Sequence, residues 1–279
     1  MVKEYYRCES LGDALARLAS FPETSILAGG TFLLAGQSFG AQMMRDPASP
    51  GSETLHVMDV GRILPATLGR TDNTLRIGAL CTFQNILESA DAPPVLKSAA
   101  GTMANRNIRN RATVGGNLGA NKTCASLIPL FLALEAEVEY AIPGNIQSRK
   151  TVAAWLAEPE GIVLNVHIIM ESEQFAASLR TSRTACDLAT STASVVYKKD
   201  GDVLRDIRIA LGGFGPRATR FPELESLFEG KPLPVRDKIE AVAANYLTAV
   251  DDRRGSAGFK KLRGAALLAD ALHEAEAFI

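Results

Sequence analysis

Cysteine and histidine are scarce, and those present stand apart. The four cysteines, Cys8, Cys81, Cys124 and Cys186, include no C-x-x-C pair, which excludes the usual zinc and iron–sulfur ligand spacings. They read as reduced, mostly buried thiols packing as small hydrophobes. His56, His167 and His273 are equally scattered, so no bound metal is expected. No apolar run approaches the about 20 residues that span a bilayer; the longest, 26–36 and 127–134, fall well short. The opening residues Met1 to Tyr6 contain no apolar signal core, so a cytoplasmic location is expected. Excess basic charge is also missing. A formal net charge of -1 gives nucleic acid or an acidic membrane no electrostatic handle. Neither G-x-G-x-x-G nor G-x-x-x-x-G-K-[ST] occurs, which removes the Rossmann fingerprint and the Walker A loop. No histidine, cysteine or carboxylate pair is spaced for acid–base or nucleophilic work, so no catalytic side chain is assigned.

What is present is an ordinary globular composition, 47% hydrophobic and 22% charged over 279 residues, long enough for about two domains. Ser10 ahead of Leu11, Ala14, Leu15 and Leu18 predicts an N-capped helix over 11–20. Residues 24–28 read as a short buried strand, with Phe32 to Leu34 returning to the core. Residues 45–54, rich in Pro, Gly and Ser, read as an exposed loop. Strands are predicted at 55–60 and 75–79, the second reached through an Asp72-Asn73 turn, with helices from Thr82 and around 95–103. Residues 127–134 predict a buried helix, with Pro129 tolerated in its first turn, followed by a strand at 137–141. Two strands joined at Lys199 to Asp202, and helices from Pro222, within 234–250 and after Ser256, complete the chain. Arg253, Arg254, Lys260, Lys261 and Arg263 read as a solvated basic face.

Two glycine-centred segments stand out, Ala28-Gly29-Gly30-Thr31 and Thr113-Val114-Gly115-Gly116-Asn117. A turn without Cβ atoms lets successive backbone N–H groups approach an anion, and two such turns could hold one diphosphate. Either alone is more often an empty turn. Arg106, Arg109 and Arg111 lie just ahead of the second, placed to offset diphosphate charge or to be solvated. Thr113 and Asn117 bracket it with hydrogen-bonding side chains.

The pairing is specific. A-G-G-T, then I-R-N-R-A-T-V-G-G-N-L about eighty residues on, then a proline-bearing apolar helix and a strand, resembles the FAD-binding subunit of the molybdenum hydroxylases, of the xanthine dehydrogenase and carbon monoxide dehydrogenase type. Residues 209–213, I-A-L-G-G, and the closing R-G-S-A-G-F-K-K-L resemble later family segments; the Gly212-Gly213 pair is not assigned to phosphate. The resemblance implies an α+β fold, with an FAD-binding domain of the vanillyl-alcohol-oxidase-like (PCMH) type at 1–172, in subdomains of about 1–60 and 61–172. A C-terminal domain of antiparallel sheet with helices, 173–279, would close the flavin site.

It further implies that FAD is held by Leu27, Ala28, Gly29, Gly30, Thr31 and Phe32 on one side and Thr113, Gly115, Gly116 and Asn117 on the other. Val163 would touch the ring. Arg180, where the family commonly has lysine, and Asp187, with Arg183 between them, match a downstream pattern; a purely structural Arg183–Asp187 salt bridge is an even alternative. Two departures are visible. Ser126 stands where relatives carry an aspartate, and Met103 where some place an aromatic ring on the flavin. The implied role is electron transfer from iron–sulfur clusters on one partner, fed by a molybdenum cofactor on another, to NAD+ or a different acceptor. The alternatives are an assembly module that has lost the flavin and, ranked lower, a free-standing flavin oxidoreductase.

Overall fold

The computed structural model describes residues 2–35, 55–144 and 146–278; the loop expected at 45–54 lies outside them. Local signals start the elements where the sequence puts them. Ser10 accepts a hydrogen bond from the Asp13 N–H at the head of α1 (Leu11–Ser20). Thr82 and Asn85 exchange reciprocal bonds at the head of α2 (Phe83–Glu88), a capping box that satisfies two otherwise orphaned donors.

Three sheets carry the fold. In the first, β1 (Val2–Arg7) and β2 (Ser25–Leu27) both pair in parallel with β3 (Leu55–Asp59). The second is antiparallel, in the order β4 (Leu68–Thr71), β5 (Thr74–Gly78), β8 (Ile162–Ile169), β6 (Glu137–Ile142) and β7 (Ile146–Thr151). The third is also antiparallel, in the order β12 (Thr219–Arg220), β11 (Val203–Gly212), β10 (Ser191–Asp200), β9 (Gln174–Thr181) and β13 (Glu276–Ala277). The Asp72 and Gly201 turns close their hairpins, both with positive φ. The mixed helix and sheet architecture is the α+β class expected. Strands β1, β4, β7, β8 and β9 and the short α7 (Val152–Ala157) are among the elements that escaped sequence reading; charged and polar residues fill much of β1 and β7, while α7, V-A-A-W-L-A, is an apolar run too short to show a helical period.

Burial explains how the sheets meet. Strand β8 is apolar almost throughout and buried from Ile162 to Ile168, the signature of a strand covered on both faces. Ile162 and Leu164 pack with Ala141 against Leu15 of α1 and Met58 of β3. Val163, Val166 and Ile168 join the main core with α6 (Ile128–Ala133). That core does not stop at the sheet boundary. It continues into Ala176, Val196 and Ala210 of the third sheet and to Phe278. On that sheet's other face lie α8 (Pro222–Phe228), α9 (Arg236–Tyr246) and α10 (Ala257–Glu274). Glu135, just past α6, accepts from Arg208 at 3.0 Å and Arg220 at 2.6 Å, which pins the second and third sheets together at their rim. Burial alone would raise the Glu135 carboxyl, but the Arg220 and Arg208 bonds outweigh it and lower its pKa.

The basic face expected near the C-terminus is corrected at one residue. Lys260 is fully buried, 0% exposed, with Nζ donating to Asp252 Oδ2 at 2.7 Å and to the Val250 carbonyl at 3.0 Å. Ser256 caps α10, and the turn before the cap folds Asp252 back under the helix, so the lysine points inward.

Candidate functional site

A cleft of about 530 Å³ opens where the three sheets converge, within the range of cofactor sites. Ala28, Gly29, Gly30, Thr31 and Phe32 line it from the end of β2. Thr113, Gly115, Gly116 and Asn117 face them from the head of α5 (Val114–Ala120). Met103, Ser126, Val163, Arg180 and Asp187 complete the assigned wall. Leu27 alone among the assigned residues is off the surface of the cleft; its Cδ1 instead lies behind Gly30, 3.2 Å from where a Cβ would stand.

The two glycine segments turn out to be unlike. Among the described residues, the N–H groups of Gly29, Gly30, Thr31 and Phe32 donate to no partner, so a segment that lines the cleft leaves four successive donors available, the makings of an anion nest. Gly30 sits at φ +72, the left-handed region that side chains other than glycine rarely adopt. Gly29 is needed for a different reason. A Cβ there would fall 1.7 Å from the Arg111 carbonyl oxygen, because the two segments pass backbone against backbone.

The second segment is not the outward-facing turn expected but the first turn of a helix, and its donors are already engaged. Val114 N–H bonds to Cys81 O, Gly115 N–H to Ala79 O, Gly116 N–H to Thr113 Oγ1, and Asn117 N–H to Thr113 O. Thr113 is therefore an N-cap, and Asn117 Oδ1 accepts from Leu127 N–H at 3.3 Å. The Gly115-Gly116 pair offers a smooth wall and the Thr113 hydroxyl proton rather than a second nest.

The arginines ahead of it do not reach the cleft. Arg106 pairs with Glu88 at the surface, and Arg111 Nε donates to the Gly29 carbonyl at 3.4 Å. Arg109, in α4 (Arg106–Arg109), donates from Nη1 to the carbonyls of Gly101, Met103 and Ala104 at 3.3, 3.1 and 3.0 Å. This fixes the Met103 loop. Arg109→Met is expected to lower stability by about 2 kcal/mol, since three carbonyls lose one charged donor; urea unfolding at wild-type stability would refute it.

Arg180 and Asp187 are brought together, but chiefly to shape the wall. Arg180 Nη2 donates to Ser182 Oγ at 2.8 Å and to the Asp187 carbonyl at 2.6 Å, while Arg183 Nε bonds Asp187 Oδ2 at 2.7 Å. The Arg183 bond, then the Leu188 N–H, holds the Asp187 carboxyl below its ordinary range. The structural alternative for that pair describes this geometry. Gly212 and Gly213 are also structural: Gly213 N–H donates to Thr123 Oγ1 at 2.8 Å.

Sequence reasoning missed cleft residues with polar chemistry, among them Lys122, Cys124 and Cys186. Burial pushes the Cys8 and Cys81 thiols up to about 11, as befits inert core cysteines, but Cys124 is half-buried and Cys186 exposed, and both line the cleft. Lys122 also lines it, with Nζ 5.7 Å from the centroid of the Phe32 ring. Attention to Ser126 as an uncharged replacement passed over the cation four residues earlier. Nothing in a linear reading places that cation opposite the first glycine turn.

The comparisons with known proteins agree with this architecture. Residues 1–172 match the family model described as the FAD binding domain in molybdopterin dehydrogenase, and 177–275 match the CO dehydrogenase flavoprotein C-terminal domain. The chain is 31% identical over 201 residues to the Escherichia coli K12 protein YgfM, covering 71% of this chain and 72% of that one. It is 26% identical to the putative xanthine dehydrogenase FAD-binding subunit XdhB of the same organism, over 93% of this chain and 90% of that one. Among solved structures, a chain of carbon monoxide dehydrogenase from Hydrogenophaga pseudoflava superposes with a TM-score of 0.85 at 25% identity, covering 99% of this chain and 97% of that one.

Proposed function

The chain belongs to the FAD-binding medium subunits of the molybdenum hydroxylases, and from that premise we propose that it relays electrons from partner iron–sulfur clusters, through FAD, to NAD+ or another acceptor. The molybdenum-cofactor subunit of the same complex would hold the reducing substrate, which in a xanthine dehydrogenase-like enzyme is a purine or related heterocycle. Residues 1–172 would form the flavin-binding unit and 173–279 the unit that closes it. No described helix is long and apolar enough to cross a membrane.

The observation that carries the reading is the run of four N–H groups at Gly29 to Phe32, unpartnered among the described residues, in a cleft that Gly115 and Gly116 also line. A diphosphate needs such donors, and the left-handed backbone at Gly30 turns the segment that carries them along the cleft wall, so the residues present fit FAD. Gly29 to Phe32 would take the diphosphate, with the Thr113 hydroxyl opposite. Val163 and Met103 supply apolar surface for the ring. Ser126 and Asn117 can hydrogen-bond the ribityl chain. Bound FAD supplies the exchange between one-electron and two-electron carriers; the protein supplies binding, orientation and the local field. No histidine lines the cleft among the described residues, and its carboxylate, Asp187, is tied to Arg183. The described residues of the cleft thus present neither a histidine nor an unpaired carboxylate for proton abstraction, which supports a relay.

The purified chain is expected to be yellow, to show flavin absorption, and to release FAD on denaturation. A colourless, folded preparation indifferent to added FAD would overturn the proposal. Gly30→Val sharpens the test. Forcing a β-branched residue into the left-handed region costs about 1–2 kcal/mol of stability and places methyl groups between Leu27, Leu34 and the nest. FAD affinity should fall at least about a hundredfold, the loss of two or more charged hydrogen bonds; full flavin content in that variant would show that the diphosphate lies elsewhere.

A further inference from the structure

Two cations line the cleft among the described residues, and they differ in how they are held. Arg180 has its guanidinium bound to Ser182 and to carbonyls of its own loop. Lys122 has no carboxylate within ion-pair distance and no hydrogen bond from Nζ among the described residues; its contact is the face of Phe32, 5.7 Å away. Phe32 is the last residue of that run of N–H donors, and the residue is 45% exposed. Lys122 approaches from the opposite wall, on the segment that follows α5, so the pair spans the cleft beside the four free donors.

An unpaired ammonium half-buried over an aromatic ring holds its charge on a weak contact. A flexible four-carbon stem lets that charge move a few ångströms toward a stronger partner. The nest beside it selects an anion of phosphate size, and a charge-assisted bond to phosphate outweighs the ring contact. Arg106, Arg109 and Arg111 are committed elsewhere, so among the described residues the diphosphate charge has no other mobile counter-ion in the cleft.

We propose that Lys122 is a ligand of the FAD diphosphate, the residue by which this chain selects a flavin dinucleotide over a flavin without phosphate. The inference rests on FAD as the cofactor and adds the source of the countercharge. It assigns the function to a cation in the run 121–126, which carries no carboxylate.

The test compares FAD with riboflavin, which shares the ring and lacks the phosphates. Kd for each is read from flavin fluorescence on full-length, flavin-stripped wild-type, Lys122→Met and Lys122→Arg chains, with thermal unfolding as the control for folding. Lys122→Met should weaken FAD at least about tenfold, the value of one charged hydrogen bond, and leave riboflavin within twofold. Lys122→Arg should recover most of the loss. Added salt should weaken FAD binding more in wild type than in Lys122→Met. Unchanged FAD affinity in Lys122→Met, or an equal loss for FAD and riboflavin, would overturn the assignment while leaving the cofactor in place. A wild-type chain that binds neither flavin would instead overturn the FAD reading, and the assignment with it.

Discussion

Gly29→Ala is expected to abolish FAD retention and to destabilise the chain more than any other single methyl added in the cleft. The added Cβ would meet the Arg111 carbonyl oxygen at 1.7 Å and its carbonyl carbon at 2.7 Å. Both are backbone atoms, so no rotamer change relieves the overlap. Either β2's end or the segment before α5 must move by more than an ångström, and each is anchored. Val60 N–H bonds to the Leu27 carbonyl, and Val114 and Gly115 bond to the carbonyls of Cys81 and Ala79. Overpacking in a close-packed interior typically costs about 1–3 kcal/mol, and this site belongs at or above the upper end because the obstacle is rigid. The two cleft walls would part and the nest would lose its facing surface. Flavin content and thermal midpoint, measured beside Gly258→Ala, check this, since a Cβ at Gly258 meets nothing within 4 Å. A Gly29→Ala protein with full flavin and an unshifted midpoint would mean that the two segments do not touch.

Asp252→Ala is expected to cost about 3–5 kcal/mol, the usual consequence of stranding a buried charge. Lys260 has no exposed surface, and Asp252 is its carboxylate partner at 2.7 Å. The Val250 carbonyl would remain as an acceptor, but it carries no charge. Asp252 also takes the Arg254 side chain and the Arg254 N–H at 2.8 Å, so the substitution loosens the whole 250–256 turn. Thr190, whose Oγ1 donates to the Arg254 carbonyl, ties this turn to the strand beside the cleft.

The same residue sets an acid limit. Burial would raise the Asp252 carboxyl, but the bonds from Arg254 and Lys260 outweigh it and lower its pKa from 3.8 to about 2. A carboxyl whose folded pKa is depressed adds stability that is fully present above its unfolded value, near 4, and disappears as the pH falls through about 2. Wild type should therefore lose stability steeply between about pH 4 and pH 2, and Asp252→Ala should lose less over that window. Parallel pH profiles from chemical unfolding would rule out the role of this carboxylate in the acid limb.

How far the sequence reached can be judged from particular residues. Ser10, Thr82 and Ser256 announced their helices because an N-cap is a contact across three residues. The Asp72 and Lys199 to Asp202 turns announced their hairpins for the same reason. Strand β1 did not, since its partner β3 lies some fifty residues away and its own residues, V-K-E-Y-Y-R, show no apolar alternation. At the site, all but Leu27 of the assigned residues line one cleft, and that grouping came from a pair of motifs eighty residues apart.

The sequence by itself was enough to identify the family, and through that resemblance the cofactor and most of the assigned residues that line the cleft, because the resemblance rests on two motifs at a fixed separation. Only the tertiary structure decided which atoms are free. Among the described residues the first glycine segment keeps four N–H groups open, while the second gives its own to Ala79, Cys81 and Thr113. Lys260 is sealed under its helix, and Lys122 faces Phe32 with no carboxylate beside it among the described residues. A donor's availability and a cation's surroundings depend on which distant backbone packs against it, and that is fixed by sheet register and core packing rather than by neighbours in the chain.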